Sequence, residues 1–108
     1  MAYYMYQCSY TTEAIKGLLQ KPVNRTEVIR KAVEELGGKL EGAWYSFGES
    51  DVVLIVQMPD HASIAALSLA VAAGGATQGG KTTPLMTLDE GLAAMKKAAG
   101  STYRPPGK

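Results

Sequence analysis

Six places in this sequence carry side chains with chemical potential, and each has a plainer role beside it. Gly75-Ala76-Thr77-Gln78-Gly79-Gly80-Lys81-Thr82 fits the phosphate-loop pattern G-x-x-x-x-G-K-[ST]. There backbone N–H groups and a lysine surround phosphates, and the final hydroxyl takes Mg²⁺. That loop needs a strand before it and a helix after it. Here a helical segment precedes it, and Thr83-Pro84-Leu85-Met86 follows it. The spacing therefore favours a helix stop and a loop, with simple anion binding by Lys81 as the residual possibility. His61 is the single histidine, and it follows Asp60 at a helix start. A general base is one use for it. An exposed first-turn side chain is the commoner one. Cys8 lies among tyrosines with no base near it in sequence, which suits a buried, inert thiol. Asp51 opens a strand beside Gly48. Its carboxylate suits bonds to turn N–H groups, with acid–base work as the alternative. The last two signals are aromatic. Tyr4, Tyr6, Cys8 and Tyr10 share one strand face, and Trp44-Tyr45 lies further on. Such a face suits an apolar pocket with a few hydroxyls or a subunit interface equally well.

The elements that must position these residues follow from spacing and caps. Tyr3 to Tyr10 is aromatic-rich without Gly or Pro, which predicts a strand. Thr11 or Thr12 caps a helical segment over Glu13 to Gln20, ended by Pro22. Asn24-Arg25-Thr26-Glu27 reads as a capping box with Asn24 as N-cap. Behind it, Val28, Ile29, Ala32, Val33 and Leu36 form an apolar stripe. Arg25, Arg30, Lys31, Glu34 and Glu35 fill the opposite face, and Gly37-Gly38 stops the helix. Two strands follow as a hairpin. In the first, Leu40, Gly42, Trp44 and Ser46 alternate with Glu41, Ala43 and Tyr45. The second is Asp51 to Met58, after a turn at Phe47-Gly48-Glu49-Ser50. Asp60 caps a helix to about Ala73, stopped by Gly74-Gly75. Gly79-Gly80 reads as a loop, Lys81 to Thr87 as a strand held to an edge or bulge by Pro84. Thr87-Leu88-Asp89-Glu90 is a second capping box for a last helix, ended by Gly100.

The order β-α-β-β-α-β-α is the split pattern of ferredoxin-like α+β folds. Domain boundaries are expected at 1–100, with an extended tail over 101–108. Val52-Val53-Leu54-Ile55-Val56 is apolar on both strand faces. Helices cover one face of such a sheet, so the second face is expected to meet the sheet of another copy.

Taken together, these residues resemble the GYD-domain family. The matching stretches are Tyr10-Thr11 leading into Ile15-Lys16-Gly17-Leu18, Leu36-Gly37-Gly38-Lys39-Leu40, Tyr45, Phe47-Gly48-Glu49-Ser50-Asp51-Val52-Val53 and Met58-Pro59-Asp60. Thr82-Thr83-Pro84-Leu85-Met86-Thr87 and Tyr103-Arg104-Pro105-Pro106-Gly107 extend the resemblance over nearly the whole chain. Of the family's Gly, Tyr, Asp signature, Gly48 and Asp51 are present, and Ser50 stands where the tyrosine would be. The resemblance implies a small bacterial protein built as a dimeric α+β barrel, two sheets face to face. It implies no activity.

Two functions are compatible with this reading. One is a non-enzymatic homo-oligomeric module, a homodimer or larger, that binds a small organic ligand between paired sheets. The other is a cofactor-independent enzyme, oxygenase- or isomerase-like, acting on a small substrate in the barrel cavity. Candidate ligand-binding residues for either are Tyr6, Trp44, Asp51, His61 and Lys81. No cofactor is expected, and no Cys/His cluster suggests a metal.

Composition bounds the rest. With 46% apolar and 19% charged residues over 108 positions, the chain suits one globular domain. A net charge of +1 without a basic stripe argues against nucleic acid as partner. The longest near-apolar run, Ala62 to Ala73, is too short to span a membrane. The first residues lack the charged and apolar regions of a secretory signal. One cysteine allows no internal disulfide, so a cytoplasmic setting is expected.

Overall fold

The computed structural model describes residues 1–107. Its elements are β1 (Ala2–Tyr10), α1 (Thr12–Gln20), α2 (Thr26–Glu35), β2 (Lys39–Tyr45), β3 (Val52–Met58), α3 (His61–Ala73), β4 (Thr77–Leu85) and α4 (Leu88–Ala99). The strands make one antiparallel sheet in the order β2-β3-β1-β4, which is the ferredoxin-like α+β arrangement that the element order predicts.

Local signals explain most element ends. The Thr11 hydroxyl accepts from Ala14 N and starts α1. Asp60 accepts from Ser63 N at 2.8 Å and starts α3. Thr87 and Glu90 form the expected reciprocal box at α4. Gly37 takes φ +82° and ends α2, a conformation that costs a side-chain-bearing residue energy.

The box expected at α2 is not formed. Arg25 is the N-cap and makes no side-chain cap bond. Asn24 Oδ1 instead accepts from both Thr26 N and Thr26 Oγ1, and Glu27 pairs with Arg30 one turn on. A nearby cation and a hydroxyl donor outbid the reciprocal geometry.

Two strand readings also change. Glu41 is an extra residue between the pairs Leu40–Val56 and Gly42–Ile55. This bulge breaks the simple alternation along β2. Ala43 thus joins Leu40 on the helix side, opposite Leu54. Gly79 and Gly80 are not in a loop. They form a bulge opposite Cys8 inside β4, which begins at Thr77 rather than Lys81.

The helices cover one face of the sheet. Tyr4, Tyr6 and Cys8 of β1 and Val52, Leu54, Val56 and Met58 of β3 are buried beneath them, with Val33, Ile64 and Leu67 from α2 and α3. Among the described residues, no helix covers the opposite face. Tyr3, Met5, Gln7, Val53, Ile55 and Gln57 are all only half-buried there. Val53 and Ile55 therefore present apolar surface to the side that no helix reaches, as the doubly apolar β3 sequence implies.

Helix α4 lies outside this body. The chain spans 61 × 32 × 21 Å with a radius of gyration of 17.7 Å. A compact domain of this length has about 13 Å. No residue of α4 is buried, and Leu88, Leu92 and Met95 are 94%, 49% and 69% exposed. Their i, i+4, i+7 spacing places them in one stripe.

Candidate functional site

The helix layer has a gap. α2 packs over the β2 edge of the sheet and α3 over the β4 edge. Between them, above the two central strands, runs a cleft of about 130 Å³. Its floor is Tyr6, Cys8 and Tyr10 from β1 with Val52 and Leu54 from β3. Ile29 and Ala32 of α2 form one wall, Leu67 and Val71 of α3 the other. Ala32 contributes only a methyl group where its neighbours in the stripe are larger, which keeps the cleft open. Arg25 stands at one end, where a smaller pocket of about 60 Å³ continues past Tyr10 to Asn24 and Tyr45.

Burial sets the chemistry of this space. The Tyr6 phenol is pushed up from its usual value by burial, against the opposing influence of a hydrogen bond with Ser68. Burial also raises the Cys8 thiol, and the Asp51 carboxylate raises it further. Cys8 is therefore a thiol rather than a thiolate at neutral pH, the inert state expected of it. Tyr10 is pushed up to about 12, first by burial and then by the neighbouring Tyr45, with Arg25 pulling the other way. The two phenols are protonated, hydrogen-bonding hydroxyls at pH 7, not bases.

The expected tyrosine face thus points into the helix layer. It lines a pocket and the core, and the subunit-interface reading for Tyr4, Tyr6, Cys8 and Tyr10 is corrected. The face turned away from the helices carries Tyr3, Met5, Gln7 and Ser9 instead.

The remaining candidates are spread over the molecule. His61 Nδ1 lies 2.7 Å from the hydroxyl of buried Tyr4, with the rings edge-on. Asp51 Oδ2 accepts from Tyr10 N at 2.9 Å and ties the end of β1 to the start of β3, rather than bonding the Gly48 turn. That turn is closed by Ser46 Oγ donating to Ser50 O and by Phe47 at φ +48°. Trp44 and Lys81 are both on the open face. The register aligns Trp44, Val53, Gln7 and Lys81 in one row across all four strands. Trp44 is 57% exposed, and its ring lies over Gly42, where a Cβ would collide with it.

The phosphate-loop pattern at Gly75–Thr82 is not a phosphate loop. A helix precedes it, and from Thr77 onward it is edge strand, which continues through its lysine to Leu85. Its glycines serve the backbone and the core: Gly75 and Gly79 take φ +78° and +65°, and a Cβ on Gly80 would sit 2.6 Å from the Tyr6 hydroxyl. Among the described residues, no three or more His, Cys, Asp or Glu side chains are grouped to hold a metal, and no helix is long and apolar enough to cross a membrane.

Sequence reasoning missed the helix-side cleft and its Arg25. The signal available was weak: a small residue, Ala32, in an otherwise bulky stripe, and a basic residue at the helix start.

A search of curated proteins found no relative. Among solved structures, the chain is similar to the crystal structure of MtbAldR, with a TM-score of 0.54 at 15% identity. That match covers 80% of this chain and 52% of the other, so this chain spans about half its length. At that identity the likeness shows the shared fold. The family model of the GYD domain matches residues 4–95, and the chain belongs to the GYD-domain family.

Proposed function

We propose that the protein is a non-enzymatic module that works as a pair of identical chains and holds a small organic ligand between their sheets. The uncovered apolar face of β1 and β3 carries this reading. Met5, Val53 and Ile55 sit at its centre, half-buried by their sheet neighbours alone. A second copy of the same face is the self-complementary cover, and burying such surface gains about 25 cal/mol per Å². The row Trp44–Val53–Gln7–Lys81 supplies a ring, an amide and an ammonium group for a ligand in that space.

Helix α4 supports the same reading. An isolated helix of 12 residues is marginal in water, so a capped helix with an apolar stripe and no intramolecular cover is built to pack on something else. The enzymatic alternative has less support. His61 and Asp51, the two acid–base candidates, lie beyond opposite ends of β3, about 20 Å apart by strand rise. Both already hold a hydrogen bond to another part of the fold.

Light scattering at micromolar concentration tests the pairing. The wild type is expected at twice the chain mass of 11.4 kDa. Ile55→Glu is expected to run at the single-chain mass with an unchanged circular dichroism spectrum. A wild-type monomer sinks the proposal. A thermal-shift screen with small metabolites tests the ligand.

A further inference from the structure

We propose that the cleft between α2 and α3 is a second binding site, on the far side of the sheet from the paired face, for an amphipathic organic anion. The ligand class is an aryl or short acyl carboxylate, its apolar body on Tyr6, Cys8 and Leu54 and its carboxylate at Arg25.

Three observations meet there. The first is the space. An apolar cavity of roughly 150 Å³ holds a benzene-sized ring. The cleft offers about 130 Å³, and its lining is overwhelmingly apolar. The gap follows from α2 and α3 leaning on opposite edges of the sheet.

The second is the charge at one end. Arg25 has no acidic partner: the ion pairs of the described residues are Lys16–Glu13, Arg30–Glu27 and Lys39–Glu41. Its guanidinium borders both the cleft and the smaller pocket beside Tyr10 and Tyr45. A free guanidinium at the mouth of an apolar cleft is complementary to a carboxylate, which it can bind through two parallel N–H donors.

The third is the helix start. Arg25 provides no side-chain cap for α2, and the start of that helix, Asn24 to Thr26, borders the small pocket at the same end. That helix start adds positive potential where the carboxylate would sit. The hydroxyls of Tyr10 and Tyr45 complete a polar mouth over an apolar interior, the usual make-up of a small-molecule site.

The site does not depend on the paired sheets, and the test separates the two. The probe is 4-phenylbutyrate, with 4-phenylbutan-1-ol as its neutral counterpart. Binding is followed by methyl NMR on the full chain. Ile29, Leu67 and Val71 report the cleft, and Val53 and Ile55 report the open face. The acid is expected to shift the cleft methyls and to bind about tenfold more tightly than the alcohol, the scale of one charge-assisted contact. Arg25→Gln is expected to abolish that preference while leaving the alcohol's affinity unchanged. Ala32→Phe, which fills the cleft, is expected to remove both. Arg25→Gln is a surface change, so the test stands even where Ala32→Phe perturbs the fold. Four results overturn the inference. One is no cleft shift at millimolar acid. Another is shifts confined to Val53 and Ile55. A third is equal affinity for acid and alcohol. The last is binding that appears only after Leu92→Glu and Met95→Glu together, which would mean that α4 of a second copy occupies the cleft.

Discussion

Removing the imidazole of His61 should cost more than removing the hydroxyl it holds. Tyr4 is only 2% exposed, and its OH lies 2.7 Å from His61 Nδ1. His61 itself is exposed. In Tyr4→Phe the lost group and its partner separate cleanly: the ring keeps its packing, and water takes the freed imidazole nitrogen. The cost should be below about 0.5 kcal/mol, because an exposed acceptor is readily re-solvated. In His61→Ala the phenol stays in place with its hydrogen-bond partner gone. An unpaired buried hydroxyl costs about 1–3 kcal/mol. Its end lies near the surface once the imidazole is removed, so about 1 kcal/mol is the appropriate figure. For a domain of this size that is roughly 4–8 °C in Tm. Urea unfolding of both single variants and the double variant measures the asymmetry. Adding Tyr4→Phe to His61→Ala should restore most of the loss. A loss in Tyr4→Phe equal to or larger than that in His61→Ala would refute this account of the pair.

Further expectations can be checked with similar means. Asp51→Ala leaves Tyr10 N without its acceptor and should lower stability by about 1–2 kcal/mol, while Asp51→Asn, which keeps an acceptor oxygen, should lose less. Gly80→Ala sets a methyl 2.6 Å from the Tyr6 hydroxyl and should cost about 1–3 kcal/mol, much of it recovered in a Tyr6→Phe background. Cys8 should react with a soluble disulfide reagent at pH 8 far more slowly than a free thiol, and at the ordinary rate once urea unfolds the chain. Tyr10 keeps its proton in the folded state to about pH 12 against 10 when free, so folding holds the proton more tightly than unfolding does. Its stabilising contribution is complete below pH 10 and falls as pH rises from 10 towards 12. Spectrophotometric titration should show late phenol ionisation from Tyr10, with Tyr6 also delayed, and thermal melts should soften over that window.

The parts of this fold readable from sequence are those decided within a few residues. Asp60 and the Thr87–Glu90 box satisfy N–H groups one turn away, and Gly37 takes a backbone angle set by its own lack of a Cβ. The doubly apolar run of β3 also carries its message in its own composition: one set of side chains lies under the helices and the other, half-buried, faces away from them. Where competing partners exist, local pattern misleads. Glu27, expected to complete a box with Asn24, pairs with Arg30 instead. Bulges escape a period-two reading because one added residue, Glu41, reverses which side chains share a face. Gly79-Gly80 resembles a loop in sequence, yet the pair is a bulge inside the strand: Gly79 takes φ +65°, and Gly80 lies where a Cβ would meet the Tyr6 phenol. The cleft is the least legible feature. It exists because two helices lean on opposite sheet edges, a tertiary fact that no residue of α2 or α3 states by itself.

A soluble nitroxide that broadens only methyl signals open to solvent tests, at micromolar protein, whether a second copy covers the face bearing Met5, Val53 and Ile55. The methyls of Met5, Val53 and Ile55 are expected to be as protected as those of buried Leu54 and Val56, and to lose that protection in a variant that runs as a single chain. Strong broadening of Val53 and Ile55 in the wild type, with Leu54 and Val56 untouched, would show the face to be bare and contradict the pairing.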